Sequence, residues 1–306
     1  ELVDCAAIQR RKLKVALDAC HGAGGRLGAA LLRALGCQTV ILGSQPDGRY
    51  DHPPEPTLAN LGEFARVVPA VNAAVGFAQD PDADRLAIID ETGQYIGEEL
   101  TLALAAVRRL EQQRGPVVLN LSTSRVTEDI AARLGCPVFR VPVGEINVVE
   151  RMIAENAVLG GEGNGGVIDP RVGYVRDSFV AMALVLDLLA ATDRPLSRLV
   201  ARLPQYRMVK HKFPLAESAG DSQSQPHPDE NGRQLWQRIA GRYPEARADY
   251  SDGLRLDWDD RWAHVRASNT EPIIRVISEA PSAELAEELA REVGNCVVGP
   301  KPKNSP

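Results

Sequence analysis

The chain has no surplus of basic residues: 35 Lys and Arg stand against 41 Asp and Glu, a formal charge of −6. That balance cannot neutralise a nucleic-acid backbone, so DNA and RNA are not expected partners. Nor is there an apolar run long enough for a bilayer. The longest, Phe179 to Ala191, is interrupted by Asp187 and falls short of the roughly 20 residues a span requires. It reads as a buried helix, and no membrane association is expected. Cysteine is sparse: Cys5, Cys20, Cys37, Cys136 and Cys296 are odd in number, far apart and never in a CxxC pair. Zinc and a disulfide framework are both disfavoured, and a reducing, cytoplasmic setting is the expectation. The opening ELVDCAAIQRRK is neither a signal nor a transit peptide and starts with Glu1 rather than Met, so the native protein is expected to begin upstream. With 44% hydrophobic and 25% charged residues, the composition excludes disordered, collagenous and coiled-coil chains.

What is present is an alternation of strand-like and helix-like segments over 306 residues. Lys14–Asp18 is a short apolar run ending in a glycine-rich turn. A helical period follows over Arg26–Leu35, then a strand over Gln38–Leu42, a helix over Leu58–Val68, strands at Ala74–Phe77 and Leu86–Asp90, and a helix over Glu98–Leu110. The pattern restarts after Gly115-Pro116 with a strand at Val117–Leu121, a helix to Arg133 and a strand at Pro137–Val141. A helix over Glu145–Glu155, the glycine-rich segment Gly160–Gly166 and a helix over Ser178–Ala191 complete it. After Pro204 come a polar, mobile loop over Leu215–Arg233, helices near Gln234–Arg242 and Ala283–Glu292, and strands at Leu254–Trp258, Ala263–Arg266 and Ile273–Ser278. The expected architecture is two similar α/β domains with mainly parallel sheets, then an α+β domain with an antiparallel sheet. The boundaries are a linker remnant over 1–11, α/β domains over 12–114 and 115–203, the α+β domain over 204–300, and a tail over 301–306.

Three segments carry chemistry. In Asp80-Pro81-Asp82-Ala83-Asp84-Arg85, alternating carboxylates on an extended backbone fall on one face, and Pro81 opposes a helix. Three carboxylates together repel unless a hard cation or a base neutralises them. A solvated acidic turn is the plain alternative, but the flanks AVGFA and LAIID are apolar strands. An EF-hand is rejected because Arg85 stands where that loop needs Gly. The second segment, Gly160-Gly161-Glu162-Gly163-Asn164-Gly165-Gly166, lets backbone approach a ligand, with Glu162 and Asn164 suited to sugar hydroxyls. By itself it could equally be a flexible turn. The third, Arg266-Ala267-Ser268-Asn269-Thr270-Glu271-Pro272 with Arg275, makes an anion cradle of guanidinium, hydroxyl, amide and backbone N–H groups. A polar hairpin with surface ion pairs is as good a reading of that segment alone. Gly22-Ala23-Gly24-Gly25-Arg26-Leu27-Gly28 imitates a dinucleotide fingerprint but has Leu27 at the sixth position, and no acid follows the next strand.

In order and spacing, DPDADR, GEGNGG and RASNTEPIIR resemble the metal, sugar-recognition and phosphate-binding loops of the α-D-phosphohexomutase family. KVALDACHGAGG is similar to the start of that family's second domain. The resemblance covers about residues 12 to 290 and corresponds to the second, third and fourth of the family's four domains. It implies that Asp80, Asp82 and Asp84 hold Mg²⁺, with Arg85 as the catalytic group beside the transferring phosphoryl. Glu162 and Asn164 would hold the sugar, and Arg266, Ser268, Asn269, Thr270 and Arg275 the phosphate that is not reacting. The implied reaction moves phosphate between O1 and O6 of a hexose phosphate through a bisphosphorylated sugar, with glucose or hexose 1,6-bisphosphate as activator. Glucosamine phosphate is the expected substrate, ahead of glucose and mannose phosphates, because of the GEGNGG form. The family's phosphorylated serine lies in a Ser-His-Asn-Pro-like loop of the first domain. The 306 residues contain no such loop, so an upstream domain is expected to have been removed and the remainder to be inactive alone. The competing reading is a non-catalytic sugar-phosphate-binding module. Neither reading specifies an oligomeric state.

Overall fold

The computed structural model describes residues 2–214, 231–267 and 273–298. Residues 215–230 of the mobile loop expected over Leu215–Arg233, the cradle residues Ser268, Asn269 and Thr270, and the tail over 301–306 lie outside the described residues, while Asn231 to Arg233 open a helix instead. The chain forms two compact units, Glu1–Pro204 and Gln205–Pro306.

In chain order the first unit contains α1 (Cys5–Arg11), β1 (Lys14–Asp18), α2 (Gly25–Ala34), β2 (Gln38–Leu42), α3 (Gly62–Ala70), β3 (Val75–Gln79), β4 (Leu86–Asp90) and α4 (Glu98–Gln112). It continues with β5 (Val117–Asn120), α5 (Arg125–Arg133), β6 (Val138–Val141), α6 (Glu145–Glu155), β7 (Leu159–Glu162), β8 (Gly166–Ile168), α7 (Ser178–Thr192) and α8 (Leu196–Val200). Two four-stranded sheets result, ordered β2-β1-β3-β4 and β6-β5-β7-β8. Each is built the same way. The first strand pairs in parallel with the second and third, and the fourth folds back antiparallel to the third.

β3, β4 and β5 are buried at every residue, as strands covered on both faces should be. One apolar core joins the two sheets. It runs from Leu17 and Phe77 through Leu102 of α4 and Leu184 of α7 to Leu119 and Val167. Each such side chain, wholly withdrawn from water, contributes about 1.5–3 kcal/mol. α7 is the buried helix expected over Phe179–Ala191: eleven of its residues are buried. Its N-terminus is capped by Asp177, which accepts from Phe179 N (2.7 Å) and Val180 N (3.0 Å). The interrupting Asp187 accepts from Arg108 Nε (2.6 Å) and Gln112 Nε2 (2.8 Å), the partners a buried carboxylate requires.

Several elements differ from expectation. The segment taken as a linker remnant contains α1, capped by Asp4, with Ile8 buried. The helix expected from Leu58 begins at Gly62, because Thr57 O accepts from both Asn60 N and Leu61 N and closes a turn there. The glycine-rich segment Gly160–Gly166 is not a loose loop but the buried hairpin β7–β8.

The second unit comprises β9 (Arg207–Pro214), α9 (Asn231–Ala240), β10 (Arg247–Asp249), β11 (Leu254–Asp257), β12 (Trp262–Ala267), β13 (Ile273–Ala280) and α10 (Ala283–Val298). Its sheet, ordered β10-β11-β12-β13-β9, is antiparallel throughout. Leu254, Leu256, Val265, Ile274 and Val276 pack against Leu289, Ala290 and Val293 of α10. Two similar, mainly parallel α/β sheets followed by an antiparallel unit is thus the observed fold class. Among the described residues no helix is long and apolar enough to cross a membrane, and all five cysteines are unpaired.

Candidate active site

The carboxylate cluster is the tip of the β3–β4 hairpin. Asp80 leaves β3 buried, with 1% of its surface exposed, while Asp84 is half-buried and Asp82 exposed. One oxygen from each of the three lies within 4.8 Å of the others. Two oxygens across a bound Mg²⁺ are about 4.2 Å apart, so the donor set and its spacing both suit that ion. The tip is held by its own arginine: Asp80 accepts from Arg85 N (3.1 Å) and Arg85 Nε (2.7 Å), and Arg85 Nε lies 3.5 Å from Asp84. Burial, with Asp84 close by, raises the Asp80 pKa despite the opposing pull of Arg85. Burial pulls the Arg85 pKa down, but its hydrogen bond to Asp80 and the charges of Asp80, Asp84 and Glu98 outweigh it, leaving a fixed cation.

The turn geometry is imposed from outside. Ala83 takes a left-handed backbone (φ 61°), a conformation that costs an L-residue about 1–2 kcal/mol. Its carbonyl accepts from Ser178 Oγ (2.6 Å) at the start of α7, and Ser178 Oγ also accepts from Gln79 Nε2 (2.8 Å). The glycine-rich turn after β1 braces the other side: Ala23 N donates to Pro81 O (2.7 Å), and a Cβ on Gly22 would fall inside the Pro81 backbone. Close backbone approach to the carboxylate loop therefore accounts for the glycine that imitates a nucleotide fingerprint. Cys20, in the same turn, has its pKa pushed up to about 11 by burial and by Asp18, Asp80 and Asp51, so it is an inert thiol.

Glu162 ends β7, 4% exposed, and accepts from Asn120 Nδ2 (2.8 Å), Gly144 N (3.2 Å) and Arg176 Nη1 (2.7 Å). Asn164 is half-buried in the turn, its Oδ1 accepting from Gly166 N (3.3 Å). The two hairpins meet directly. Leu86 N donates to Gly165 O (3.1 Å), and Gly165 has φ +89° with no room for a Cβ against Leu86.

The principal group missed in the sequence is Arg176. Its three guanidinium nitrogens reach three carboxylates: Nη2 to Asp84, Nη1 to Glu162 (2.7 Å) and Nε to Glu145 (3.1 Å). It thereby ties the carboxylate loop to the glycine hairpin. The Asp-Ser that follows it, opening an apolar helix, is a legible capping signal. A partner 92 positions away is not.

In the second unit, Arg266 on β12 and Arg275 on β13 stand directly opposite each other. Arg266 Nε is buried without a hydrogen bond and pairs with the Asp252 carboxylate at 3.8 Å. Like charges opposed in a ladder destabilise it unless something negative joins them.

Residues 1–93 match the family model for phosphoglucomutase/phosphomannomutase alpha/beta/alpha domain II, 97–206 that for domain III, and 229–295 that for the C-terminal domain. The chain belongs to the phosphohexomutase family. It is 37% identical over 290 residues to a phosphoglucomutase/phosphomannomutase of Thermococcus kodakarensis, covering 94% of this chain and 61% of that protein. To a phosphoglucosamine/phosphogalactosamine mutase of Sulfurisphaera tokodaii it is 31% identical over 303 residues, covering 97% and 64%. The crystal structure of a phosphoglucomutase/phosphomannomutase family protein from Burkholderia thailandensis superposes with a TM-score of 0.80 at 25% identity, covering 97% of this chain and 64% of that one. The chain thus spans less than two thirds of the length of these phosphohexomutase relatives.

Proposed function

We propose that this chain supplies the metal, sugar and phosphate sites of a phosphohexomutase that moves phosphate between O1 and O6 of a hexose phosphate. The observation that carries the reading is the junction of two hairpins: a three-carboxylate loop with its own arginine, tied through Arg176 to the Glu162 hairpin. Asp80, Asp82 and Asp84 would hold Mg²⁺, which when bound offsets charge on phosphoryl oxygens. Arg85, kept cationic and oriented by Asp80, adds a fixed positive group aimed at the same charge without reorganising. Glu162 and Asn164 would orient the sugar through its hydroxyls. Arg266 and Arg275, with Ser268, Asn269 and Thr270, would grip the remote phosphate and position the substrate.

Because no Ser-His-Asn-Pro-like loop occurs in residues 1–306, the phosphoryl carrier is assigned elsewhere, and a hexose 1,6-bisphosphate is the intermediate and activator. Glucosamine phosphate is the favoured substrate; the Sulfurisphaera tokodaii relative is a phosphoglucosamine/phosphogalactosamine mutase, and the GEGNGG form agrees. The test is a coupled assay of the native gene product and of residues 1–306 with glucosamine, glucose and mannose phosphates plus glucose 1,6-bisphosphate. The expected result is turnover by the native protein, fastest with glucosamine phosphate, and none by residues 1–306. A native protein that binds these phosphates without converting them would instead be a sensor.

A further inference from the structure

Asp84 faces two guanidinium groups. Its Oδ2 accepts from Arg176 Nη2, and its Oδ1 lies 3.5 Å from Arg85 Nε. A cation held by the β3–β4 tip therefore has to share this carboxylate with Arg176, a group of like charge.

Arg176 is not free to swing aside. Its backbone N and its Nε both donate to Glu145 (3.1 Å each), and its Nη1 donates to Glu162 (2.7 Å). The stem crosses Gly166 so closely that a Cβ there would lie 2.4 Å from Arg176 Cδ. Asp84, in turn, does not depend on Arg176 for its place. The turn that carries it is held by Ser178 Oγ on Ala83 O and by Ala23 N on Pro81 O, and Arg85 is fixed to Asp80 through two bonds. To the carboxylate loop Arg176 thus contributes charge more than shape. Removing it deepens the negative charge there by one unit, and a doubly charged ion feels each unit twice.

We propose that Arg176 is the internal counter-charge of the metal site: it shares Asp84 with the bound ion and so lowers the affinity of the loop for Mg²⁺. This rests on the reading of Asp80, Asp82 and Asp84 as metal ligands. A brace alone would act with the opposite sign, since losing a brace loosens the ligands and weakens the ion. Mg²⁺ is commonly held by one or two carboxylates together with substrate phosphate; a site weakened in this way keeps its demand for a phosphoryl oxygen. The Arg176 and Asp84 side chains are 19% and 20% exposed, so solvent and salt screen part of the repulsion and the effect is moderate.

The test is calorimetric titration of residues 1–306 with Mg²⁺ at one ionic strength, in wild type, Arg176→Gln, Arg176→Lys and Asp82→Asn, with unfolding midpoints taken with and without the ion. Arg176→Gln should bind Mg²⁺ about tenfold more tightly than wild type while unfolding more easily without it. Added Mg²⁺ should then raise its midpoint by more than it raises that of wild type. Arg176→Lys keeps the charge and should stay within about threefold of wild-type affinity. If wild type binds, Asp82→Asn does not, and Arg176→Gln binds no more tightly than wild type, the metal reading stands and the counter-charge is overturned. Equal tightening in Arg176→Lys and Arg176→Gln also overturns it, because charge is then not the cause. Should Arg176→Gln be unfolded without the ion, excess Mg²⁺ has to refold it, and failure to do so counts against the proposal in the same way. If neither wild type nor Arg176→Gln binds Mg²⁺, the metal reading itself fails and this inference falls with it.

Discussion

The two halves of the first unit repeat one topology, and at the end of the first strand of each a side chain folds back on its own turn. Asp18 Oδ1 accepts from Cys20 N at 2.9 Å, and Asn120 Oδ1 from Ser122 N at 2.9 Å. The other terminal atom differs. Asp18 Oδ2 meets His52 Nε2 at 3.1 Å, whereas Asn120 Nδ2 donates to Glu162 at 2.8 Å. An acid suffices where the partner is a histidine, and an amide is required where the partner is a buried carboxylate. In both halves this turn also braces the hairpin that carries the site: Ala23 N on Pro81 O in one, Gly163 N on Thr123 Oγ1 (3.0 Å) in the other. One scaffold thus presents a charged loop from its first copy and a glycine hairpin from its second. The chemical division lies in the loops and not in the sheets.

The severest way to break the comparison is to make the second half resemble the first. Asn120→Asp sets a second buried carboxylate against Glu162 and removes one of its three donors, and the added buried charge should cost about 3–5 kcal/mol. Urea unfolding at pH 7 measures it, and a loss below about 1 kcal/mol would show that the Asn120–Glu162 contact does not hold this hairpin. Removing the tie between the halves comes next. Arg176→Ala leaves Asp84, Glu162 and Glu145 short of a cation; because the side chain is partly exposed, the expected loss is about 2–3 kcal/mol, read by the same method.

The second unit gives a pH contrast. Burial lowers the His264 pKa to about 4, below its ordinary 6.5. The unfolded chain therefore binds the proton first. Stability from this group is complete above pH 6.5 and falls as pH drops toward 4, by about 2 kcal/mol at pH 5. His264→Gln should flatten that slope in unfolding measurements.

The reverse exchange in the first half should be mild. Asp18→Asn keeps the turn bond and loses only the contact with a partly exposed histidine, about 0.5–1 kcal/mol by urea titration. A loss as large as that of Asn120→Asp would erase the distinction between the halves.

The smallest effect belongs to His21, whose pKa is raised by its hydrogen bond to Gln45 O and then by Asp51. Its stabilisation is complete below pH 6.5 and lost as pH rises through the folded value, opposite in sign to His264. The difference between wild type and His21→Gln should shrink from pH 6 to pH 8, and a difference that grows would contradict the pairing.

Legibility followed range. The carboxylate loop was visible because alternation, Pro81 and apolar flanks all lie within a few residues. The β-hairpin at Gly160–Gly166 was hidden, since glycine is depleted from strands and the pairing that buries it comes from β5. β9 was hidden because Lys210, His211 and Lys212 blur its alternation, and only packing against α10 reveals its apolar face. Arg176 and Asn120 act across 92 and 42 positions, contacts that no local pattern encodes.

As proposed above, the β3–β4 tip would hold Mg²⁺. Calorimetric titration of residues 1–306 with Mg²⁺, in wild type and Asp82→Asn, tests it most directly. Three carboxylates leave octahedral positions to water, so weak binding is expected in the wild type and none in Asp82→Asn. Binding of micromolar affinity or tighter that is unchanged by Asp82→Asn would contradict it.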